Sequence, residues 1–203
     1  MKQDKETKNK LLQSAREEFM EKGYMKASLR NICRKAGVTT GALYFFFKDK
    51  EDLFESLAKE TINGIYQIMQ THFRDENKML VEGMLFTPGI EEEDNHFEEA
   101  RRVIHQMYLH REDVLLVLTK SQGTRFENIA DQFIETTEQH FRAMVKGMQA
   151  AYPDIVVDDK FIHWLAHEQI DGFIYMITHI EDEGEAVQFI SQLITYMMAS
   201  CND

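Results

Sequence analysis

The sequence is poor in the residues that interrupt helices. Its 203 residues include only two prolines and 10 glycines, which is too few for the many tight turns of a β-rich protein. The longest uninterrupted apolar run, residues 42–47, has six members, whereas a helix that spans a membrane needs about 20. The composition therefore favours an all-α globular protein and argues against a membrane partner.

Cysteine is also scarce. Cys33 and Cys201 lie far apart and in no metal-binding spacing, so neither a disulfide framework nor a cysteine-based metal site is expected. The first residues show no secretory signal pattern. We therefore expect a cytoplasmic location and no cofactor.

Charge is distributed unevenly along the chain. The whole sequence has a formal net charge of −12, which by itself argues against a nucleic-acid partner. Residues 1–50, however, contain 12 Lys and Arg against 6 Asp and Glu, a balance of +6, and residues 51–203 have a balance of −18. This asymmetry indicates two regions with different tasks, the basic one suited to a polyanion. An incidental spread of surface charge remains the alternative.

Apolar residues recur at helical spacing throughout, and no segment shows sustained alternation with a period of two. Gly23 and Gly37 mark the ends of the first two helices, and Ser28 and Thr39 or Thr40 are expected to cap the next two. The expected helices are 7–22, 28–36, 39–46, 50–73, 76–86, 93–110, 112–121, 124–150, 158–179 and 183–201, with clear loops at 87–95 and 152–154.

The three short helices before residue 47 have the spacing of a helix-turn-helix, whose last helix enters the DNA major groove. At that helix, hydroxyl, glycine, phenol and lysine groups are suited to phosphate or base contacts, because they donate hydrogen bonds, permit close approach or carry positive charge. The candidate DNA contacts in this pattern are Ser28, Thr39, Thr40, Gly41, Tyr44, Lys48 and Lys50.

Residues 32–54, ICRKAGVTTGALYFFFKDKEDLF, together with residues 11–24, resemble the DNA-binding core of TetR-type transcriptional regulators. The resemblance covers about residues 5–54, with both glycines, Tyr44, Phe47 and Lys50 in register. It implies an N-terminal helix-turn-helix domain, residues 1–50, joined by a linking helix of about residues 50–73 to a helical ligand-binding and dimerisation domain within residues 51–203. It also implies a repressor that a small molecule releases from a palindromic operator, and not an enzyme.

The resemblance adds Phe45 to the DNA contacts and assigns Ile32, Ala36, Val38, Leu43 and Phe47 to packing. Phe46 stands where the family often has a histidine or tyrosine that contacts phosphate. Two alternatives stay open for Phe45 and Phe46, because the rings could pack inward or could meet a sugar or a thymine methyl group in the groove. No arginine lies in residues 39–47 to bind guanine.

The last two helices have apolar residues on more than one face. This is typical of helices that lie in the centre of a protein or form a dimer interface. Resemblance to the family implies that they pair with a second copy in a homodimer. The expected interface residues are Trp164, Ile170, Phe173, Ile177, Ile190, Leu193, Ile194 and Met197.

Two other functions compete with DNA binding. His163 and His167 share a helical face and could form half of a metal site in a sensor or enzyme, although a polar stripe is the simpler interpretation. The basic region could instead serve a helical adaptor protein. The twelve methionines suit either an adaptable ligand pocket or an ordinary core.

Overall fold

The computed structural model describes residues 2–81 and 92–199, and within these ranges the chain forms helices and no strand. This confirms the all-α prediction. The helices are α1 (Lys2–Lys26), α2 (Leu29–Ala36), α3 (Thr40–Phe46), α4 (Lys50–Val81), α5 (Glu92–Leu109), α6 (Arg111–Lys120), α7 (Ile129–Ala151), α8 (Asp159–His179) and α9 (Glu183–Ala199).

Two glycines interrupt helical geometry in the first part of the chain. The backbone at Gly23 leaves helical geometry (φ 72°, ψ 161°) inside α1, and Gly37 ends α2 in the left-handed region (φ 69°, ψ 31°). Glycine adopts positive φ without the steric penalty that a Cβ would bring. Both interruptions lie where the sequence predicts them.

Several predicted boundaries are wrong. Helix α1 begins at Lys2 rather than at residue 7. A break was expected between residues 73 and 76, but α4 continues to Val81, because no glycine or proline interrupts this stretch. The helix expected from residue 124 begins at Ile129, because the Thr124 hydroxyl donates to the carbonyl of Ser121 at 2.7 Å and closes a turn. Of the loop predicted at 87–95, positions 87–91 lie outside the described residues, and positions 92–95 are helical because they form the start of α5.

The chain divides into two compact units. Unit 1 consists of the residues up to Asn63 together with His110–Ile129, so it contains α1–α3, the start of α4, and α6. Its core includes fully buried Phe19, Phe47 and Phe54, and the Phe19 and Phe54 rings meet edge to face with centroids 5.1 Å apart. In α6, Asp113 accepts two hydrogen bonds from Arg16 of α1.

Unit 2 consists of Gly64–Leu109 and the residues from Ala130 onward. Part of its core is a cluster formed by Ile134 of α7 with Ala166 and Ile170 of α8. The same unit encloses two polar side chains, Glu76 and His140, whose Oε2 and Nε2 atoms lie 2.6 Å apart. The His140 ring stacks on Phe73 at 4.0 Å between centroids.

The two compact units do not coincide with the predicted domains, which divide after residue 50. The difference arises because α6 packs against α1 although about a hundred residues separate them in sequence. That division was drawn for function and stays a prediction. Among the described residues, no helix is both long and apolar enough to cross a membrane.

Candidate nucleic-acid interface

Helix α3 packs into the core through one face and exposes two aromatic side chains on the other. Thr39 caps it, its Oγ1 accepting a hydrogen bond from the amide of Ala42 at 3.2 Å. Leu43 and Phe47 are buried, whereas Tyr44 is 54% and Phe45 76% exposed. Between the two open alternatives, the structure places the Phe45 ring outward rather than in the core.

Another molecule can come close to the backbone at the start of α3. Thr39, Thr40 and Gly41 are all exposed, and a Cβ added at Gly41 would meet nothing nearer than the Thr39 hydroxyl oxygen at 3.8 Å. A backbone this accessible can lie directly against a phosphate or a base edge. The structure therefore brings the three predicted contacts together at one end of one helix.

Ser28 stands at the N-cap of α2, but its side chain makes no capping hydrogen bond, contrary to the prediction. The backbone amide of Ser28 donates instead to Oε1 of Glu18, at 3.3 Å. The Glu18 carboxylate thus accepts from the amide of the N-cap residue itself, whereas a serine cap would accept from amides in the first turn of α2. A carboxylate is favoured at this place because the free amides of a helix N-terminus carry partial positive charge.

Glu18 is fully buried and holds both ends of α2. Its Oε1 also accepts hydrogen bonds from Asn31 at 3.3 Å and Lys22 at 3.0 Å, and its Oε2 lies 3.3 Å from Nζ of Lys35. Burial by itself raises the pKa of Glu18, but the hydrogen bonds from Lys22, Asn31, the Ser28 amide and Lys35 outweigh it and lower the pKa to about 2.

Glu18 is not among the residues that the sequence predicts to be important. A signal existed, because position 18 follows Leu11 and Ala15 on the buried face of α1 and is followed one turn later by Lys22. A carboxylate on an apolar stripe with a lysine at i+4 indicates a buried ion pair. The partners Asn31 and Lys35 come from another helix and have no such signal.

The two predicted lysine anchors differ in their surroundings. Lys48 is exposed at the end of α3. The ammonium of Lys50 lies 4.6 Å from the centroid of the Tyr24 ring and 3.3 Å from the carbonyl oxygen of Met25, and burial lowers the pKa of Lys50. In this structure Lys50 fastens the start of α4 to the end of α1, and its phosphate contact stays a prediction.

The predicted dimer residues fall into separate groups. Trp164 is half exposed, at 50%, and lies on the same face of α8 as exposed Phe161 and Tyr175. Several other predicted interface residues fill the protomer's own interior, because α8 and α9 pack against neighbouring helices of unit 2. Ile170, Ile177 and Ile190 are buried, Phe173, Leu193 and Ile194 are half-buried, and the side chain of Met197 lies outside the described part.

Of the paired histidines on α8, His163 contacts a carboxylate on α7, and the two imidazole rings meet with centroids 4.6 Å apart. Nδ1 of His163 lies 2.8 Å from Oε2 of Glu138, and that contact is the largest cause of the lowered pKa of Glu138. Within residues 2–81 and 92–199, no group of three or more His, Cys, Asp or Glu side chains is placed to hold a metal ion. The geometry does not favour a metal-dependent sensor or enzyme.

Comparison with known proteins supports the interpretation of α1–α3. Residues 11–57 match the family described as bacterial regulatory proteins, tetR family. The chain is 44% identical over 52 residues to the HTH-type transcriptional repressor BepR of Brucella suis, covering 26% of this chain and 25% of that protein. It is 31% identical over 109 residues to the HTH-type transcriptional regulator AcrR of Shigella flexneri, covering 52% and 49%.

These matches span between a quarter and a half of the relatives' lengths. Solved structures extend the likeness of fold to nearly the whole chain. A transcriptional regulator of Aquifex aeolicus superposes with a TM-score of 0.58 at 20% identity, over 94% of this chain and 99% of that one. NalD of Pseudomonas aeruginosa, the secondary repressor of the MexAB-OprM multidrug efflux pump, has a TM-score of 0.53 at 18% identity, over 96% and 97%. Residues 11–57 of this chain, which contain most of α1, α2 and α3, therefore match the family of bacterial regulatory proteins, tetR family.

Proposed function

We propose that the chain is a sequence-specific transcriptional regulator, a repressor that binds a palindromic DNA operator as a homodimer in the cytoplasm and leaves it when a small molecule binds. The observation that carries this proposal is α3, a capped helix that exposes Thr40, Gly41 and Tyr44 beside Lys48 within the family's DNA-binding domain. Two such helices in one dimer would enter successive major grooves about 34–36 Å apart.

Unit 2 is the proposed ligand-binding part. Nδ1 of His140 and Oγ1 of Thr137 are buried without a hydrogen-bond partner, and the two residues lie one turn apart on α7. Buried polar groups of this kind orient ligands in otherwise apolar sites. A ligand would release the operator only through a higher affinity for the conformation that does not bind DNA.

The homodimer is proposed through α8 and α9. Support comes from the exposed aromatic side chains of Phe161, Trp164 and Tyr175 along α8, since aromatic residues are enriched in protein interfaces. In this proposal the partner does not contact the buried residues directly. They pack inside the protomer beneath the interface; these residues are Ile170, Ile177 and Ile190.

Selection of DNA from a random duplex library by the full-length protein, followed by titration at several salt concentrations, tests the proposal. We expect a palindromic site whose affinity falls steeply with salt. Lys48→Ala should weaken binding to all duplexes about equally and lower the salt slope by about one unit, because one phosphate per protomer is no longer neutralised. Lys59→Ala, which removes an exposed lysine elsewhere on α4, is the matched control. Retention of no duplex at any salt concentration would refute DNA binding.

A further inference from the structure

Helix α3 lacks the side chains that proteins commonly use to identify purines. Its sequence, TGALYFF, contains no Arg, Lys, Asn or Gln, and these are the residues that bind guanine or adenine edges with two hydrogen bonds. The only side chains of α3 that can form hydrogen bonds are those of Thr40 and Tyr44, through their hydroxyl groups. Base recognition by this helix must therefore depend largely on apolar contact.

Phe45 is the side chain of α3 that offers such contact. Its ring is 76% exposed and meets Phe46 edge to face, with centroids 5.0 Å apart and planes at 87°. Phe46 in turn lies 6.4 Å from the ring of Phe47, which is buried in the core. The row of rings supports Phe45 from behind and leaves its outer face uncovered.

The net charge of the first 50 residues favours DNA as the molecule that meets this ring. Residues 1–50 carry a balance of +6, and Lys48 is exposed two residues beyond the end of α3. A basic surface of this kind attracts a polyanion rather than an apolar protein face. In the DNA major groove, the apolar group that distinguishes one base is the C5 methyl of thymine.

We propose that Phe45 is a specificity-determining residue that recognises the C5 methyl group of a thymine in each half of the operator. The inference rests on the proposed DNA binding and adds the chemical group that is recognised. Thr40 and Tyr44 position the helix through their hydroxyls, while the buttressed phenyl ring excludes water from the methyl group. Half-sites bound by this chain then contain a thymine that no other natural base replaces without loss of affinity.

The test uses the full-length protein and the best duplex from the random-library selection. Each thymine is replaced in turn by uracil, which keeps every hydrogen-bonding group and removes only the methyl. We expect one position per half-site at which the replacement weakens binding about fourfold, equivalent to about 0.8 kcal/mol for a buried methyl at 1.4 kcal/mol per tenfold. Phe45→Ala should bind more weakly and lose the sensitivity at that position.

Two controls complete the experiment. Leu109→Ala, which shortens an exposed apolar side chain in unit 2, should keep the wild-type response to uracil. Replacing the sensitive thymine by 5-methylcytosine, with guanine opposite, should bind more tightly than replacing it by cytosine, because the methyl group returns to the same place in the groove.

The outcomes are distinguishable. A duplex that binds well but shows no methyl-sensitive thymine overturns the inference and leaves DNA binding intact. If Phe45→Ala binds more weakly but remains sensitive to uracil at that position, the inference is also overturned, and the Phe45 ring contacts a sugar instead. Absence of any bound duplex refutes the proposed function itself.

Discussion

Glu18→Gln tests the electrostatic contribution of one buried carboxylate to the stability of unit 1. The substitution keeps the size of the side chain and an acceptor for the Ser28 amide, but removes the charge that faces Lys22 and Lys35. A carboxyl whose pKa is 4.5 when unfolded and about 2 when folded stabilises the fold by about 3 kcal/mol at neutral pH, at 1.36 kcal/mol per pKa unit. We expect Glu18→Gln to lose a comparable amount.

The pH dependence follows from the direction of the shift. Because the folded pKa is depressed, the unfolded chain binds a proton more readily, and the contribution of Glu18 is complete above about pH 4.5 and lost as the pH falls toward 2. By pH 3, about 2 kcal/mol of it should be gone. The difference between wild type and Glu18→Gln should therefore shrink as the pH is lowered.

Urea unfolding monitored by circular dichroism between pH 7 and pH 3 measures this difference. Hydrogen exchange followed by mass spectrometry assigns it to residues 11–36, since the two units need not unfold together. Glu17→Gln is the matched control because Glu17 is an exposed neighbour on the same helix, and it should change stability by less than about 0.5 kcal/mol. A penalty for Glu18→Gln that stayed constant down to pH 3 would refute the electrostatic explanation.

Three further predictions concern packing and assembly. Asp113→Asn should cost about 2–3 kcal/mol in urea unfolding, because it breaks a paired contact and leaves Arg16 half-buried without its carboxylate; an unchanged stability would show the pair to be incidental. Gly37→Ala should cost about 1 kcal/mol in thermal unfolding, since its φ of 69° is unfavourable for alanine. Dilution should shift the fluorescence of Trp164, the only tryptophan of the chain, to longer wavelengths if a dimer covers it. The absence of any shift, together with an unchanged sedimentation coefficient, would contradict the proposed interface.

The sequence predicts helices α1 to α3 well because the residues that interrupt and cap them act locally. Glycines at positions 23 and 37 and the threonine at 39 act on adjacent backbone, and the structure shows each effect at its predicted place. Short-range signals of this kind need no knowledge of the tertiary fold.

The sequence does not correctly predict the features that depend on residues far apart in the chain. Ser28 has the sequence of an N-cap, but its side chain makes no capping hydrogen bond, and its backbone amide donates to a carboxylate ten residues earlier. Ile170, Ile177 and Ile190 have the pattern of an interface, yet neighbouring helices of the same protomer cover them. Periodicity shows that a helix face is buried and does not show which chain buries it.

The discontinuity of unit 1 has a consequence for synthesis. Its first segment ends at Asn63 and its second, which brings Asp113 to Arg16, ends at Ile129. At about 5–20 residues per second, the ribosome needs roughly 3–13 s to add the intervening stretch. During that interval the nascent helices lack α6, so a fragment cut near residue 63 should be less stable and more prone to aggregate than the same residues within the full chain. Chaperones that bind nascent chains would find their target in this window.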